Sequence, residues 1–254
     1  MFDFLKKKTE INTTQIVDEI EAAVYAHIKS YGFKKYGRTL HRFVSGDISQ
    51  VINFQCGRSA SPVSGHFCVN LGIRIPECSE RTFQPQAEKK KYYHEYECTI
   101  RSRLGTVSGK QETWYDLRKK TDKTIKSIIE EIDQYVLPAY EVLNSRNAIL
   151  AHRREYPLLD TMAHLIALEE CMIYGHLGNI EKAKQLFEEY YQSAVDEYND
   201  LMKNGHKQYL KKGERVVFMG QDITAEKDGY VPLYGANHGH IEYLDELAVR
   251  LDLR

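Results

Sequence analysis

Apolar and polar residues alternate along residues 65–75. One side of this stretch carries five apolar residues, namely Phe67, Val69, Leu71, Ile73 and Ile75. The other side carries Cys68, Asn70, Gly72 and Arg74. A period of two is typical of an antiparallel strand that buries one face. The pattern therefore predicts a strand with one apolar face and one polar face in contact with solvent.

The same period recurs in neighbouring stretches. Residues 38–45 and 48–56 predict two strands joined by a tight turn at residues 46–47. Residues 92–104 predict a fourth strand, and residues 112–117 a fifth. Between them, residues 76–91 contain two prolines and many charges, which favours a long loop.

Helical periodicity surrounds this run of strands. Residues 12–31 predict a first helix that ends at Gly32, and a later helix begins at Thr121 and is kinked or ended by Pro138. Further helices are predicted over residues 158–175, 180–202 and 240–252, with a short hairpin inside 213–235. This order predicts an α+β fold with an antiparallel sheet of about four to five strands. We expect an α+β domain over residues 1–150 and a mostly helical region over residues 151–254.

Composition narrows the class of protein. The chain has 254 residues, a net charge of −1, 42% hydrophobic and 28% charged residues, as in an ordinary soluble globule. Because the net charge is so small, no overall electrostatic field attracts the chain to nucleic acid or to an anionic membrane, so we expect neither as a partner. No run approaches the roughly 20 apolar residues of a membrane helix. Five cysteines without a secretion signal predict reduced thiols and a cytoplasmic location.

Familiar catalytic motifs are missing from the sequence. The stretch from Gly105 to Lys110 is one residue too short for a phosphate-binding loop, and Gln111 stands where Ser or Thr would hold magnesium. His94-Glu95 lacks the second histidine of a zinc protease. The cysteines do not follow metal-binding spacing. We therefore expect no catalytic residue, no metal site and no cofactor.

The polar sheet face remains as the candidate site. Its members, with two residues of the preceding strand, are Gln55, Asn70, Arg74, Arg101, Arg103, His41 and Arg38. Arginines offer paired donors to carboxylate or phosphate, and amides offer donors and acceptors. One interpretation is a recognition surface for an acidic peptide, a protein partner or a small anion. Another is a solvated outer face, or a polar network covered by a helix.

Segments spread over the N-terminal half resemble a known family: Gly32–Arg42, Val51–Gln55, Phe67–Ile73, Cys98–Gly105 and Trp114. The similarity is to a bacterial family catalogued as domain of unknown function 4304 and covers about residues 15–120. This family has no established activity, so the resemblance implies membership of a group but no chemistry. It also implies an association with immunity-like proteins of toxin systems. Separately, Tyr174–Phe187 is similar to the turn and second helix of a tetratricopeptide repeat, although a generic helical hairpin is the preferred interpretation.

Two functions from different classes follow. The first is a non-catalytic cytosolic module that binds a protein or a ligand, with an immunity-type protein as one form of it. The alternative is an enzyme for an anionic small molecule or phosphate ester, in which the arginines bind the anion and His41 is the general base.

Overall fold

The structure is a computed structural model that describes residues 13–57, 65–78, 90–111, 113–160, 165–218, 221–233 and 238–253. These residues form two compact units, the first ending at residue 160 and the second beginning at residue 165. Most of the loop predicted at residues 76–91 lies outside the described ranges.

The first unit begins with helix α1 (Thr13–Ile28), which is close to the predicted first helix. Val17, Ile20, Val24 and Ile28 form its buried stripe. A single 3₁₀ turn (Lys29–Tyr31) follows and ends at Gly32, whose φ of 86° lies in the left-handed region that glycine adopts without strain.

A sheet of antiparallel strands forms the centre of this unit and confirms the predicted α+β class. Five strands lie side by side in chain order: β1 (Lys34–Tyr36), β2 (Thr39–Val44), β3 (Ile48–Cys56), β4 (His66–Arg74) and β5 (Ile100–Arg103). A two-residue strand, β6 (Tyr115–Asp116), also pairs with β4. The period of two therefore located β2, β3 and β4 to within a residue or two.

The register places the polar positions of neighbouring strands opposite one another. Asn70 of β4 lies between Asn53 of β3 and Arg103 of β5, while Gly72 lies opposite Arg101. Side chains directly opposite in an antiparallel pair are close enough to interact. The sheet thus assembles the polar residues on one face, which we call the outer face.

The predicted strand over residues 92–104 is wrong in its first half. Residues Glu95–Glu97 form a 3₁₀ turn, and regular pairing begins only at Ile100. The turn is held by a local bond in which the backbone N–H of His94 donates to Glu97 Oε2 at 2.9 Å. Such local capping bonds compete with strand pairing. The chain then continues into the four-residue helix α2 (Leu104–Val107).

The prediction that β4 exposes one face to solvent is also wrong. Every residue from Phe67 to Arg74 is buried. The apolar side faces the helices, and the outer face is covered by the segment around the 3₁₀ turn. Gly72 shows the contact directly, because a Cβ built at this position would lie 2.6 Å from Cys98 Sγ.

One long helical segment, which ends at residue 142, packs against the sheet. It consists of α3 (Thr121–Glu131), a π-helical stretch (Ile132–Val136) and α4 (Leu137–Val142). Pro138 does not end this helix. A proline lacks an N–H and disturbs the preceding turn, and the wider π-helical hydrogen bonds, such as Leu137 N to Ile132 O, lie immediately before it. A further helix, α5 (Arg146–His152), was not predicted; Ser145 caps it by accepting from Ala148 N.

The second unit contains the helical hairpin expected in the C-terminal half. Helices α6 (Ile166–His176) and α7 (Ile180–Asn204) are joined by a turn at Gly178. Residues 157–159 form a turn, so the predicted start of this first helix at residue 158 is wrong. A Cβ at Gly175 would lie 3.9 Å from that of Ala183, which places small residues where the helices touch. The likeness to a tetratricopeptide repeat stays a prediction, since a single hairpin does not make an array.

Four short strands and a last helix complete the second unit. The strands are β7 (Lys207–Leu210), β8 (Arg215–Phe218), β9 (Gln221–Thr224) and β10 (Gly229–Pro232). Strands β8 and β9 form a hairpin inside the predicted range, and β10 pairs with β7. Helix α8 (His238–Arg250) follows. Within the described ranges, no helix has the length and apolar character that crossing a membrane requires.

Candidate functional site

A cavity of about 400 Å³ opens on the outer face beside β3, β4 and β5. Its polar lining residues are Gln55, Asn70, Glu95, Arg101, Ser102, Arg103 and Thr106. Four of the seven predicted site residues therefore meet at one place: Gln55, Asn70, Arg101 and Arg103. We call this space the arginine cavity.

Amide side chains order the floor of the arginine cavity. Asn70, which is 6% exposed, donates from Nδ2 to Gln55 Oε1 at 2.9 Å. Asn53 donates in turn to Thr39 Oγ1 at 3.0 Å. These bonds explain why amides interrupt otherwise apolar strands, since a buried amide is stable only when it is hydrogen-bonded. They also leave the Gln55 amide nitrogen at the rim, where it can donate to a ligand.

Arg103 is held in place by uncharged neighbours. Its guanidinium carbon lies 5.2 Å from the centre of the Trp114 ring, and Nη1 donates to Thr113 Oγ1 at 3.3 Å. None of the described carboxylates forms an ion pair with Arg103. A guanidinium has five N–H donors, so most of those on Arg103 remain available to an anion.

Among the lining residues of the arginine cavity, positive charges outnumber negative charges. Arg101 and Arg103 each contribute one positive charge, and the half-buried Glu95 contributes the one negative charge among its lining residues. Glu95 reaches this place because the 3₁₀ turn folds back over β4. Such an arrangement suits a ligand with a single anionic group.

Arg74 belongs to a packed cluster and does not line the arginine cavity. Its guanidinium carbon lies 4.0 Å from the centre of the Tyr93 ring, and the residue is 6% exposed. The cation–π contact and the burial together fill the space beside it. Arg74 therefore fits the interpretation of the outer face as a covered polar network. Asn70, in contrast, borders open space.

His41 is part of the same packed cluster. It is 2% exposed and its ring centre lies 4.6 Å from that of Phe43. Burial, assisted by the positive charge of Arg74, lowers the pKa of His41 to about 4. The imidazole is thus neutral near pH 7 and does not line the arginine cavity, so the structure gives no support to His41 as its general base.

Arg38 lies on the opposite face of the sheet. Its carbonyl accepts from Phe54 N, and its guanidinium contacts Cys56 Sγ and Asp18 of α1. The distance from Arg38 Nη2 to Asp18 Oδ1 is 3.1 Å. Since successive side chains of a strand alternate between faces, Arg38 cannot join a patch that contains Asn53 and Asn70.

The thiols near the outer face are not activated. Burial raises the pKa of Cys68 to about 11, and burial also raises the pKa of Cys98. A thiol is nucleophilic as its thiolate, so both groups are inert near neutral pH. The chemistry offered by the arginine cavity is hydrogen-bond donation and positive charge, with the Glu95 carboxylate as the one acidic group among its lining residues.

Sequence reasoning missed Glu95, Ser102 and Thr106 as polar lining residues. Glu95 was placed in a regular strand, because the alternation over residues 92–104 hides the 3₁₀ turn. A signal was present in the pair His94 and Glu97, whose spacing matches that of a capping box. Thr106 follows β5 directly, in helix α2, and no pattern in the sequence marks it.

Comparisons with known proteins concern the first unit. Residues 24–141 match the family described as Domain of unknown function (DUF4304). The search of curated proteins found no match, and neither did the search of solved structures. The match confirms the resemblance seen in the sequence. It runs from α1 into α4, so the sheet and the whole arginine cavity lie within a region that matches the DUF4304 family.

Proposed function

We propose that the protein is a non-catalytic binding module whose arginine cavity holds an anionic group of a protein partner or a small ligand. The observation that carries this proposal is Arg103. Its guanidinium is fixed by Trp114 and Thr113, faces a cavity, and has no carboxylate partner in the described part of the chain. A half-buried charge without a counter-ion is unfavourable, and a bound anion would relieve it.

The shape of the donor set supports a carboxylate or a phosphate. Arginine presents its N–H groups in a planar fork that matches two oxygens of either anion. Gln55 and Thr106 add uncharged donors at the rim. Glu95 disfavours ligands with several negative charges, which favours recognition of one anionic group.

An enzyme acting on an anionic small molecule or phosphate ester is the alternative function. It requires a base or nucleophile beside the bound anion. His41 lies elsewhere with a lowered pKa, and Cys68 is protonated at neutral pH. The Glu95 carboxylate does line the cavity, but among the described residues no hydrogen bond couples it to a nucleophile, so these observations favour binding over catalysis.

The proposal includes the cytoplasm as the place of action. All five cysteines are free thiols, which supports a reducing compartment. In the immunity-type form of this proposal, the partner is a bacterial toxin protein that presents an acidic side chain to the arginine cavity. This form rests on the association with immunity-like proteins of toxin systems that the resemblance in the sequence implies.

Anion binding can be tested with the full-length protein and inorganic phosphate or acetate. We expect either anion to raise the melting temperature of the wild type, since a ligand at about 100 times its Kd stabilises by about 2.7 kcal/mol. The R101A/R103A double variant should lose this shift. Arg118→Ala is the matched control, because Arg118 is exposed and pairs with Asp116 outside the arginine cavity.

A partner protein can be sought by capture from a bacterial lysate. We expect a protein that the wild type and the Arg118→Ala control retain and the double variant releases. An anion-induced shift of the same size in the wild type and the double variant would refute the proposal, as would capture that is indifferent to both arginines.

A further inference from the structure

A second cavity, of about 420 Å³, lies close to the first and is lined in part by aromatic residues. Its lining includes His66, Lys110, Trp114, Tyr115, Lys119 and Thr124. We call it the tryptophan cavity. It draws its walls from β4, β6 and the start of α3, all within the region that matches DUF4304.

A single stacked pair connects the two cavities. Arg103 lines the arginine cavity, Trp114 lines the tryptophan cavity, and the guanidinium carbon lies 5.2 Å from the indole centre. An anion held by Arg103 would therefore lie near the indole. Arg103 covers one face of the indole, so a ligand ring would pack on the part of Trp114 that borders the tryptophan cavity.

The aromatic wall beside Trp114 is rigid. Tyr115 stacks on Phe67 with ring centres 5.2 Å apart and an interplanar angle of 27°. Its hydroxyl donates to Glu131 Oε2 at 3.0 Å. Burial and the Glu131 carboxylate raise the pKa of Tyr115, so the ring stays neutral. A fixed aromatic wall lowers the entropy lost when a ring binds.

The ionic groups around the tryptophan cavity leave a positive charge. Asp116 is paired with Arg118 at 2.8 Å, and Lys110 is paired with Glu131. Lys119, in contrast, has no carboxylate partner in the portion of the chain that is described. The tryptophan cavity thus combines an aromatic wall with Lys119 and adjoins Arg103 through Trp114, which favours ligands that are both planar and anionic.

We infer that the ligand of the arginine cavity carries an aromatic ring bonded close to its anionic group, with the anion at Arg103 and the ring against Trp114. This inference rests on the proposed function, since it names the class of ligand for the same site. The shared chemistry is a planar ring joined to one phosphate or carboxylate. A nucleotide supplies it, and so does an aromatic residue at the carboxyl end of a peptide.

Matched pairs of probes separate the ring from the anion. Adenosine 5′-monophosphate is compared with inorganic phosphate, and N-acetylphenylalanine with N-acetylglycine. Trp114 is the single tryptophan of the chain, so the intrinsic fluorescence of the full-length protein reports binding at this residue. We expect the ring-bearing probe of at least one pair to change this fluorescence and to bind about 10-fold more tightly than its partner. The pair that shows the gain identifies the source of the ligand.

Calorimetry on variants tests the role of the indole. In Trp114→Leu the affinity ratio within the pair should fall to about one, whatever the absolute affinity for the anion, because the stacking surface is gone. Tyr96→Leu is the control, since Tyr96 is an exposed aromatic residue outside both cavities, and it should keep the ratio.

The possible failures are distinguishable. Equal affinity for both members of each pair in the wild type would overturn this inference and leave the proposed function intact. An affinity ratio between the two probes of a pair that is unchanged in Trp114→Leu would overturn the inference as well. Absence of binding for all four probes would overturn the proposed function together with the inference.

Discussion

Gly72 lies in the second half of β4 and faces the segment that covers the outer face. A glycine inside a strand often marks a close approach of another group, and here that group is Cys98. A Cβ at Gly72 would lie 2.6 Å from Cys98 Sγ and 2.7 Å from Cys98 Cβ. The space is therefore already occupied by the protein itself.

We expect Gly72→Ala to destabilise the first unit by about 1–3 kcal/mol, because overpacking forces neighbouring groups to move. Urea unfolding of the full-length protein measures the change. Gly229→Ala is the control, since no atom lies within 4 Å of the added Cβ. A second substitution, Cys98→Gly, should recover part of the loss, and stability unchanged in Gly72→Ala would contradict the contact.

His41 gives the protein a defined pH dependence. Its folded-state pKa is about 4, against an ordinary value of 6.5. Between these values the unfolded chain binds more protons, so stability falls as the pH falls from about 6.5 towards 4. The full loss from this group is on the order of 3 kcal/mol. Above pH 6.5 both states are neutral and the contribution of His41 is constant.

We expect His41→Phe to remove this component of the pH dependence. The difference in the free energy of unfolding between pH 7 and pH 4.5 should be smaller in the variant than in the wild type. Denaturant titrations at the two pH values provide the measurement. Replacement of the exposed His152 by Gln should leave the difference nearly unchanged, and an unaltered difference in His41→Phe would show that this histidine is not buried as a neutral ring.

The sequence pattern predicted which residues share the outer face better than it predicted the contacts that those residues make. Alternation correctly grouped Gln55, Asn70, Arg101 and Arg103, because strand geometry fixes which side chains share a face. It could not show that Tyr93 covers Arg74, since that contact depends on how a distant segment folds back. Arg38 was misplaced because the beginning of β2 was read without its register.

Hydrogen bonds to the sheet hold helix α4 in its position. Tyr140 donates from its hydroxyl to Val51 O at 2.8 Å and accepts from Gly72 N at 3.0 Å. Gln50 donates to the carbonyls of Tyr140 and Leu143 at the end of the same helix. Carbonyls at a helix end lack partners within the helix, so Gln50 serves as a cap from the sheet. In the sequence, Gln50 is only an interruption of an apolar side.

We expect Tyr140→Phe to destabilise the protein by about 1–2 kcal/mol, because two buried backbone groups lose a hydrogen-bond partner. Thermal or urea unfolding gives the value. Tyr96→Phe, at an exposed position, is the matched control and should change stability by less than about 0.5 kcal/mol. A result for Tyr140→Phe that is no larger than the control would contradict the role of this hydroxyl.

Elements with a strong period were predicted well, and short elements were not. Helices α1 and α7 and strands β2 to β4 follow long stripes or alternations. The 3₁₀ turn at Glu95–Glu97 and helix α5 are too short to establish a period, and local capping bonds decide their conformation. The arginine cavity depends on one of these short elements, which is why its arginines and amides were predicted but Glu95 and the shape of the cavity were not.

At the scale of the whole molecule, the arginine and tryptophan cavities lie within the first compact unit. Composition gave no hint of them, because a net charge of −1 averages over both units. A locally positive cavity is compatible with a net charge of −1 when nearby acidic residues are paired with other cations.

We expect a fragment of residues 1–163 to fold cooperatively and to keep the anion-induced shift in melting temperature, since the first unit is compact and contains every lining residue of the arginine cavity. Near-ultraviolet circular dichroism and thermal unfolding provide the test. A fragment of residues 1–130 lacks Tyr140 and should not fold. Loss of cooperative unfolding in the longer fragment would show that the first unit depends on the second.

The distribution of the thiols has a practical consequence for labelling. Cys56 is the one cysteine of the five that is not buried, and burial raises the pKa of Cys68 to about 11 and that of Cys171 to about 12. A maleimide dye applied to the native protein near neutral pH should therefore attach at a single site. Cys56 follows Gln55 on β3 but points to the opposite face. A dye placed there sits behind the arginine cavity, close enough to sense a ligand and out of its path.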